Sequence, residues 1–191
     1  MITGGRLAAA ALLVLAALLF GRSAVSGVPG IAAFYGRYEG TADIAADDGG
    51  EIRRRDLAVT IAPEGDRFRI DWQTSTRLPD GELKTKTYSI MFEPTARDGI
   101  FGSKMRTDMF GNRVPLDPLK GDPYVWCRIA GDTLTLYAMV ITDSGGYDLQ
   151  VYDRTLTKTG LQLQFTRLRE GEAPKKFSAV LQKVAAEAPA R

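Results

Sequence analysis

Apolar and polar residues alternate along most of this chain, which is the pattern of a strand with one buried face. In residues 34–44 the even positions are apolar or small, whereas the odd positions from Arg37 to Asp43 are polar. The same period of two returns in the segments around Leu57, Phe68 and Leu161. The period predicts half-buried β-strands rather than amphipathic helices.

Short turn sequences rich in Asp, Gly or Pro separate the alternating segments, for example at residues 47–50, 79–81 and 143–146. Strands joined by such short turns are antiparallel, because parallel neighbours need a long crossover connection. An open sheet of this many strands tends to curl shut. We therefore predict an all-β fold, an antiparallel up-and-down barrel of about 8–10 strands. A two-sheet β-sandwich is the alternative.

Two segments depart from the alternation. Residues 107–123 hold three prolines and two glycines and are expected to form a long loop. The segment Phe177–Val184 fits both a helical stripe and a strand. We favour the strand, because it would pair with the open edge of the sheet.

The N-terminal region has the features of an export signal. The apolar run Leu7–Phe20 follows Arg6 and ends at Arg22. It is shorter than the roughly 20 residues that cross a bilayer, and it matches the roughly 7–15-residue apolar region of a signal peptide. Small residues at Ala24 and Ser26 suit signal peptidase. We predict a signal peptide, helical in its apolar part, over residues 1–26, a single β-barrel domain over 27–191, and a periplasmic or extracellular location. An uncleaved N-terminal anchor is the alternative.

Charge and cysteine content narrow the possible partners. The chain has 25 Lys and Arg against 23 Asp and Glu, and cleavage would remove Arg6 and Arg22 and no acid. A mature domain with balanced charge is not expected to bind nucleic acid, and no membrane span is expected after cleavage. Cys127 is the single cysteine, and it is expected to be buried as a small apolar residue in a strand.

The chain contains no histidine, which excludes histidine-based triads and the commonest zinc sites. No phosphate-binding or dinucleotide-binding glycine motif is present either. We therefore predict no metal and no cofactor, and we do not favour an enzyme. An inward-facing Asp153 could serve as a buried general acid. The favoured alternative is that Asp153 pairs with Arg154 or another surface base.

Several aromatic residues are candidates for a ligand pocket. Five are expected to point into the barrel, where they would either line a cavity or fill it, namely Tyr38, Phe68, Trp72, Tyr88 and Phe92. The rigid segment 117–126 brings Tyr124 and Trp126 to the start of a strand, where they would guard the mouth or close one end. The run 53–55 of three arginines is expected to be a solvated edge.

The opening strand resembles that of the lipocalins and their calycin relatives. Gly36-Arg37-Tyr38-Glu39-Gly40 is similar to their Gly-x-Trp opening, with Tyr38 in place of Trp. No Thr-Asp-Tyr turn motif occurs in the middle of the chain. The resemblance implies that Gly36 and Tyr38 close one barrel end and that Arg167 or Arg169 packs over Tyr38. It also implies a barrel that binds a small hydrophobic molecule.

These features favour an exported lipocalin-like barrel that binds a small apolar or amphipathic, lipid-like ligand in the cell envelope. The alternative is a structural or interaction protein of the envelope with a filled barrel and a protein partner that the sequence does not identify. A histidine-independent barrel enzyme is the least favoured hypothesis. A large internal cavity would support the first hypothesis, and a packed interior would argue against it.

Overall fold

The computed structural model describes residues 30–45, 52–78, 80–103, 106–107, 113–114 and 116–185. The predicted signal peptide and the turn at residues 47–50 lie outside these ranges, so both stay predictions. No helix in the described part of the chain is long and apolar enough to cross a membrane.

Ten strands form one closed antiparallel barrel, in which every strand pairs with its neighbour along the barrel sequence. These strands are β1 (Gly36–Ala45), β2 (Ile52–Glu64), β3 (Arg67–Arg77), β4 (Leu83–Pro94), β5 (Ile100–Ser103), β8 (Tyr124–Ala130), β9 (Thr133–Ile141), β10 (Tyr147–Leu156), β11 (Gly160–Arg169) and β12 (Lys175–Val184). A separate two-stranded sheet, β6 (Arg106–Thr107) with β7 (Arg113–Val114), lies in the long connection between β5 and β8. The predicted up-and-down barrel is confirmed.

The barrel closes because its first strand pairs with its last. Arg37 lies opposite Val184, and Gly40 lies opposite Leu181. The ambiguous segment 177–184 is therefore a strand, as favoured, and the sandwich alternative is wrong. A closed antiparallel barrel of ten strands is consistent with a lipocalin-like fold.

Two glycines let β1 lie close to β12. Gly36 has a φ of +147°, and a Cβ built there would lie 2.6 Å from the side chain of Lys183. A Cβ at Gly40 would approach the carbonyl oxygen of Val180 to 2.3 Å. Larger residues would therefore push the two strands apart at the position where the barrel closes.

The end of the barrel at which β1 begins is filled by apolar side chains, and we call it the packed half. The fully buried residues of this half are Phe34, Tyr38, Ile61, Phe68, Ile70, Phe92, Cys127, Leu134, Leu136, Leu161 and Leu181. A short 3-10 helix, Ile31–Phe34, precedes β1, and the Tyr38 hydroxyl donates a hydrogen bond of 2.8 Å to the carbonyl oxygen of Phe34. Cys127 is buried here, as predicted. Burial raises the pKa of its thiol, and nearby Arg154 opposes that shift in part.

Candidate functional site

The other half of the barrel contains a cavity of about 590 Å³. Its walls come from β1 to β4 on one side and from β10 to β12 on the other. The apolar lining consists of Ile44, Leu57, Ala58, Val59, Trp72, Tyr88, Tyr152, Leu163, Phe165 and Phe177. Lys86, Tyr88 and Lys176 on its rim are exposed, so the cavity opens to solvent at this end.

Five aromatic rings form a continuous band around the cavity. Tyr88 stacks on Trp72 with ring centres 5.1 Å apart, and Trp72 meets Tyr152 at 5.8 Å. Tyr152 contacts Phe165 at 4.8 Å, and Phe165 stacks on Phe177 at 4.9 Å. Because β3 and β10 are not neighbours, the contact between Trp72 and Tyr152 crosses the interior of the barrel. The band offers ring faces and edges to an apolar ligand.

Arg154 on β10 is a buried cation at the inner end of the cavity. Only 1% of the residue is exposed, and it lies opposite Leu134 on β9 and Leu163 on β11. Its Nε and Nη1 have no hydrogen-bond partner among the described residues. Its guanidinium carbon lies 5.3 Å from the centre of the Tyr152 ring, a cation–π distance. Burial lowers the pKa of Arg154 to about 10, so the side chain stays charged at neutral pH.

The Tyr152 side chain links this cation to the aromatic band. Its hydroxyl donates a hydrogen bond of 2.8 Å to Oε1 of Gln150, the next inward residue on β10. Burial raises the pKa of Tyr152 to about 12, and the positive charge of Arg154 opposes that shift. The phenol therefore remains neutral and available as a polar group inside an apolar wall.

A second inward-facing arginine, Arg167, is paired with a carboxylate. Its Nε donates to both carboxylate oxygens of Asp148 at 3.0 Å, and its Nη2 lies 2.5 Å from Oδ2. Both side chains are largely buried. This geometry neutralises Asp148 within the barrel.

The charged side chains that line the cavity are all cationic. Its lining cations are Arg55, Lys86, Arg154, Arg167, Lys175 and Lys176. The residues described as lining it include no acid, and the inward-facing Asp148 is already bonded to Arg167. A concave site with low-dielectric walls concentrates such a field, so the cavity attracts anions.

The structure places the predicted inward aromatics in two different surroundings. Trp72 and Tyr88 line the cavity. Tyr38, Phe68 and Phe92 belong to the packed half instead, where all three are almost completely buried. Alternation along a strand identifies the inward face but not the depth at which a side chain lies, and that depth separates the two groups.

Tyr124 and Trp126 lie on the outer wall of the barrel. Their neighbours Val125 and Cys127 point inward and are buried, and alternation along β8 turns the two aromatics outward. Trp126 stacks on Tyr137 of β9 with ring centres 4.8 Å apart. Neither ring lines the cavity, so the structure offers no support for their predicted role at its mouth.

The resemblance implied an arginine over the opening aromatic, and the structure has a lysine there. Nζ of Lys183 on β12 lies 5.7 Å from the centre of the Tyr38 ring. Arg167 lies near the opposite end of the barrel, where it faces Gln150 and Lys175, and Arg169 contacts Glu172. The residue that packs over Tyr38 is therefore the penultimate residue of β12 and does not lie on β11.

Two further predictions about charged residues need correction. The arginine run is not a uniform solvated edge. Arg54 is exposed and bonds to Thr41, whereas Arg55 lines the cavity, and its buried Nε has no hydrogen-bond partner among the residues that the structure describes. Asp153 is not paired with Arg154, because alternation on β10 places them on opposite faces. The Asp153 carboxylate accepts a hydrogen bond of 2.6 Å from Thr135 on the outer side of the wall.

The residues that sequence reasoning missed lie on the inner face of β10 and on β11. Gln150, Tyr152 and Arg154 carry polar atoms into the barrel, whereas Leu149 and Val151 of the same strand face outward. The more apolar face of β10 is thus the outer one, the reverse of the ordinary rule. Alternation along β10 shows only that Gln150, Tyr152 and Arg154 share one face. The pairing of Arg154 with inward Leu134 and Leu163 identifies that face as the inner one.

No family model matches the chain, and comparisons with curated proteins and with solved structures give no match either. The lipocalin-like description therefore rests on architecture. Within the described ranges, no group of three or more histidine, cysteine or acidic side chains is placed to hold a metal ion.

Proposed function

We propose that this protein is an exported barrel that binds a small amphipathic ligand in its cavity. The observation that carries the proposal is a cavity of about 590 Å³ lined by a continuous aromatic band. Its volume lies within the range of about 300–1,000 Å³ that is usual for ligand pockets. Ligand pockets usually combine apolar and aromatic walls with polar groups that fix the orientation of the ligand, and both kinds of residue line this cavity.

The location in the cell envelope is part of the proposal, and it is supported by the apolar N-terminal run that follows Arg6. The alternative of an interaction protein assumed a filled barrel. The cavity weighs against that assumption, because side chains of β1 to β4 and β10 to β12 leave the space between them open.

The proposal is tested by displacement of an uncharged fluorescent probe, N-phenyl-1-naphthylamine, from the full chain. Two variants on β11 form a matched pair. Leu163 lines the cavity, whereas Leu168 lies on the opposite face of the same strand. Leu163→Trp fills the cavity and should weaken probe binding about tenfold or more, whereas Leu168→Trp should change it by less than about twofold.

Native mass spectrometry of the protein purified from its own envelope, with lipid extraction, gives a second readout. A co-purifying small molecule supports the proposal. Absence of any bound molecule together with no probe binding to the wild-type chain would overturn it, since an open cavity of this kind should bind the probe.

A further inference from the structure

The charge of the ligand can be inferred from the side chains around the cavity, and this inference rests on the proposed function. Six lining residues are cationic, and the described lining includes no acid. The inward acid Asp148 is already bonded to Arg167 through both carboxylate oxygens. Lys175 is also ion-paired, because its Nζ lies 3.8 Å from Oε2 of Glu172. The other four lining cations, Arg55, Lys86, Arg154 and Lys176, have no carboxylate partner among the described residues, so the cavity has a surplus of positive charge.

Arg154 is the most informative of these cations. A buried charge is costly unless it is paired and hydrogen-bonded, yet its Nε and Nη1 have no partner in the described part of the chain. The Tyr152 ring supplies a cation–π contact and no hydrogen-bond acceptor to these atoms. Asp153, its neighbour along β10, is bonded to Thr135 on the outer wall. The donors of Arg154 thus remain available at the inner end of the cavity.

The guanidinium group restricts which ligand chemistry fits. Its planar set of N–H donors matches the oxygens of a carboxylate or a phosphate. A neutral hydroxyl would accept one hydrogen bond and leave the charge unbalanced. A cationic headgroup would add to the existing positive charge.

We propose that the cavity selects an amphipathic ligand with an anionic headgroup, a carboxylate or a phosphate, whose oxygens bind Arg154. The apolar part of the ligand lies along the aromatic band from Phe177 to Tyr88, towards the rim. Exposed Lys86 and Lys176 attract anions to the rim, where water and salt screen their charges, so Arg154 determines the selectivity.

A set of ligands that share one alkyl chain tests the headgroup preference on the wild-type chain. Dodecanoate, dodecyl phosphate, dodecanol and dodecylammonium compete for bound N-phenyl-1-naphthylamine below their micelle concentrations. At least one of the two anions should bind about tenfold or more tightly than dodecanol, and dodecylammonium should bind more weakly than dodecanol. The comparison between the two anions distinguishes a carboxylate ligand from a phosphate ligand.

Three variants test whether Arg154 causes the preference for anionic headgroups. Arg154→Met keeps the side-chain volume and should remove most of the anion preference while leaving dodecanol affinity within about threefold. Arg154→Lys keeps the charge without the planar fork and should retain part of the preference. Arg128→Met is the control, because Arg128 is exposed on β8 and does not line the cavity.

The outcomes separate this inference from the proposed function. Equal binding of anions and dodecanol by the wild-type chain overturns the anionic assignment and leaves ligand binding intact. An anion preference that persists in a folded Arg154→Met protein overturns the role of Arg154. Failure of every ligand to displace the probe, or failure of the probe to bind, counts against the proposed function itself. The wild-type series gives its answer even if a variant fails to fold.

Discussion

The packed half and the cavity half share most strands of the barrel, but the shorter strands contribute to the packed half alone. β2, β3 and β4 have 13, 11 and 12 residues, and all three contribute to the cavity wall. β5 and β8 have 4 and 7 residues and contribute none of the residues that line it. The long strands extend beyond the apolar layer that fills the barrel, and the cavity lies between these extensions.

The two halves also differ in the chemistry that their interiors tolerate. In the packed half, rings and aliphatic chains fill the space, as where Phe68 meets Phe92 at 5.4 Å and Phe101 at 5.0 Å. In the cavity half, inward positions include arginines, lysines and a glutamine. A packed interior cannot accept an unpaired charge without a large cost, whereas an open cavity can pair that charge with a ligand. For an inward-facing residue, the depth at which its side chain lies in the barrel therefore decides whether it contributes to stability or to ligand binding. The strand face alone does not decide this.

Replacement of Phe68 should cause the largest effect and should fall on stability alone. Phe68→Ala removes a fully buried ring from the packed half and should lower the free energy of unfolding by about 3–5 kcal/mol. Trp72, two residues further along the inner face of β3, is partly exposed in the cavity. Trp72→Ala should cost only about 1–2 kcal/mol but weaken binding of N-phenyl-1-naphthylamine. Urea unfolding and probe titration measure the two quantities.

The contrast between Phe68 and Trp72 would be contradicted if both folded variants bound N-phenyl-1-naphthylamine equally weakly. In that case the packed half would contribute to the binding site, and the predicted ligand role of Phe68 would stand. Titrations are performed at low urea concentration and low temperature, where the less stable variant remains native.

Replacement of Arg154 should have an effect of opposite sign. Folding lowers the pKa of this side chain from its ordinary value to about 10, chiefly through burial, so the unfolded chain holds the proton more tightly. The resulting penalty is complete at neutral pH and shrinks only as the pH rises above about 10. Arg154→Met should therefore raise the free energy of unfolding of the ligand-free protein, by on the order of 3 kcal/mol.

Urea unfolding at pH 7 checks the Arg154 prediction, with Arg128→Met on the outer wall as its control. The control should change stability by less than about 0.5 kcal/mol. A loss of stability in Arg154→Met would contradict this prediction and would show that the guanidinium group stabilises the ligand-free native fold.

The barrel could be predicted from the sequence because each strand and turn has a pattern that lies within one short segment. Alternation and short turns in each segment identify antiparallel strands. The open edge of the sheet predicts a closing strand at residues 177–184, and this prediction is confirmed. The inner face of β10 could not be predicted in the same way. Its outward residues Leu149 and Val151 are more apolar than its inward residues Gln150 and Arg154, so hydrophobicity points to the wrong face.

The site could be predicted only in part, because the position of a residue along the barrel depends on register between distant strands. Trp72 and Phe68 lie on the same face of β3, yet only Trp72 lines the cavity. Arg154, Leu134 and Leu163 lie on three different strands. The spacing of residues within one strand therefore cannot predict that they are neighbours. The rigid loop before Tyr124 predicts a position at the mouth of the cavity, whereas the alternation of β8 turns this side chain outward.

The smallest expected effect separates the inner wall from the outer wall. Tyr88 and Tyr124 are both about half exposed, at 50% each, and each contacts a tryptophan ring, Trp72 and Trp126 respectively. Only Tyr88 lines the cavity. Tyr88→Ala and Tyr124→Ala should each change stability by about 1 kcal/mol or less, because both rings are half solvated. Tyr88→Ala should also weaken probe binding several-fold, whereas Tyr124→Ala should leave it unchanged.

The two tyrosines are a stringent pair because residue type, exposure and aromatic neighbour are matched, and only the face of the wall differs. If removal of the Tyr124 ring weakens binding as much as removal of the Tyr88 ring, then the outer wall next to the long connection between β5 and β8 takes part in binding. The cavity would then extend beyond the residues that line it in this structure. If only Tyr88→Ala weakens binding, the ligand contacts the inner wall alone, and the outer aromatics Tyr124, Trp126 and Tyr137 serve another purpose.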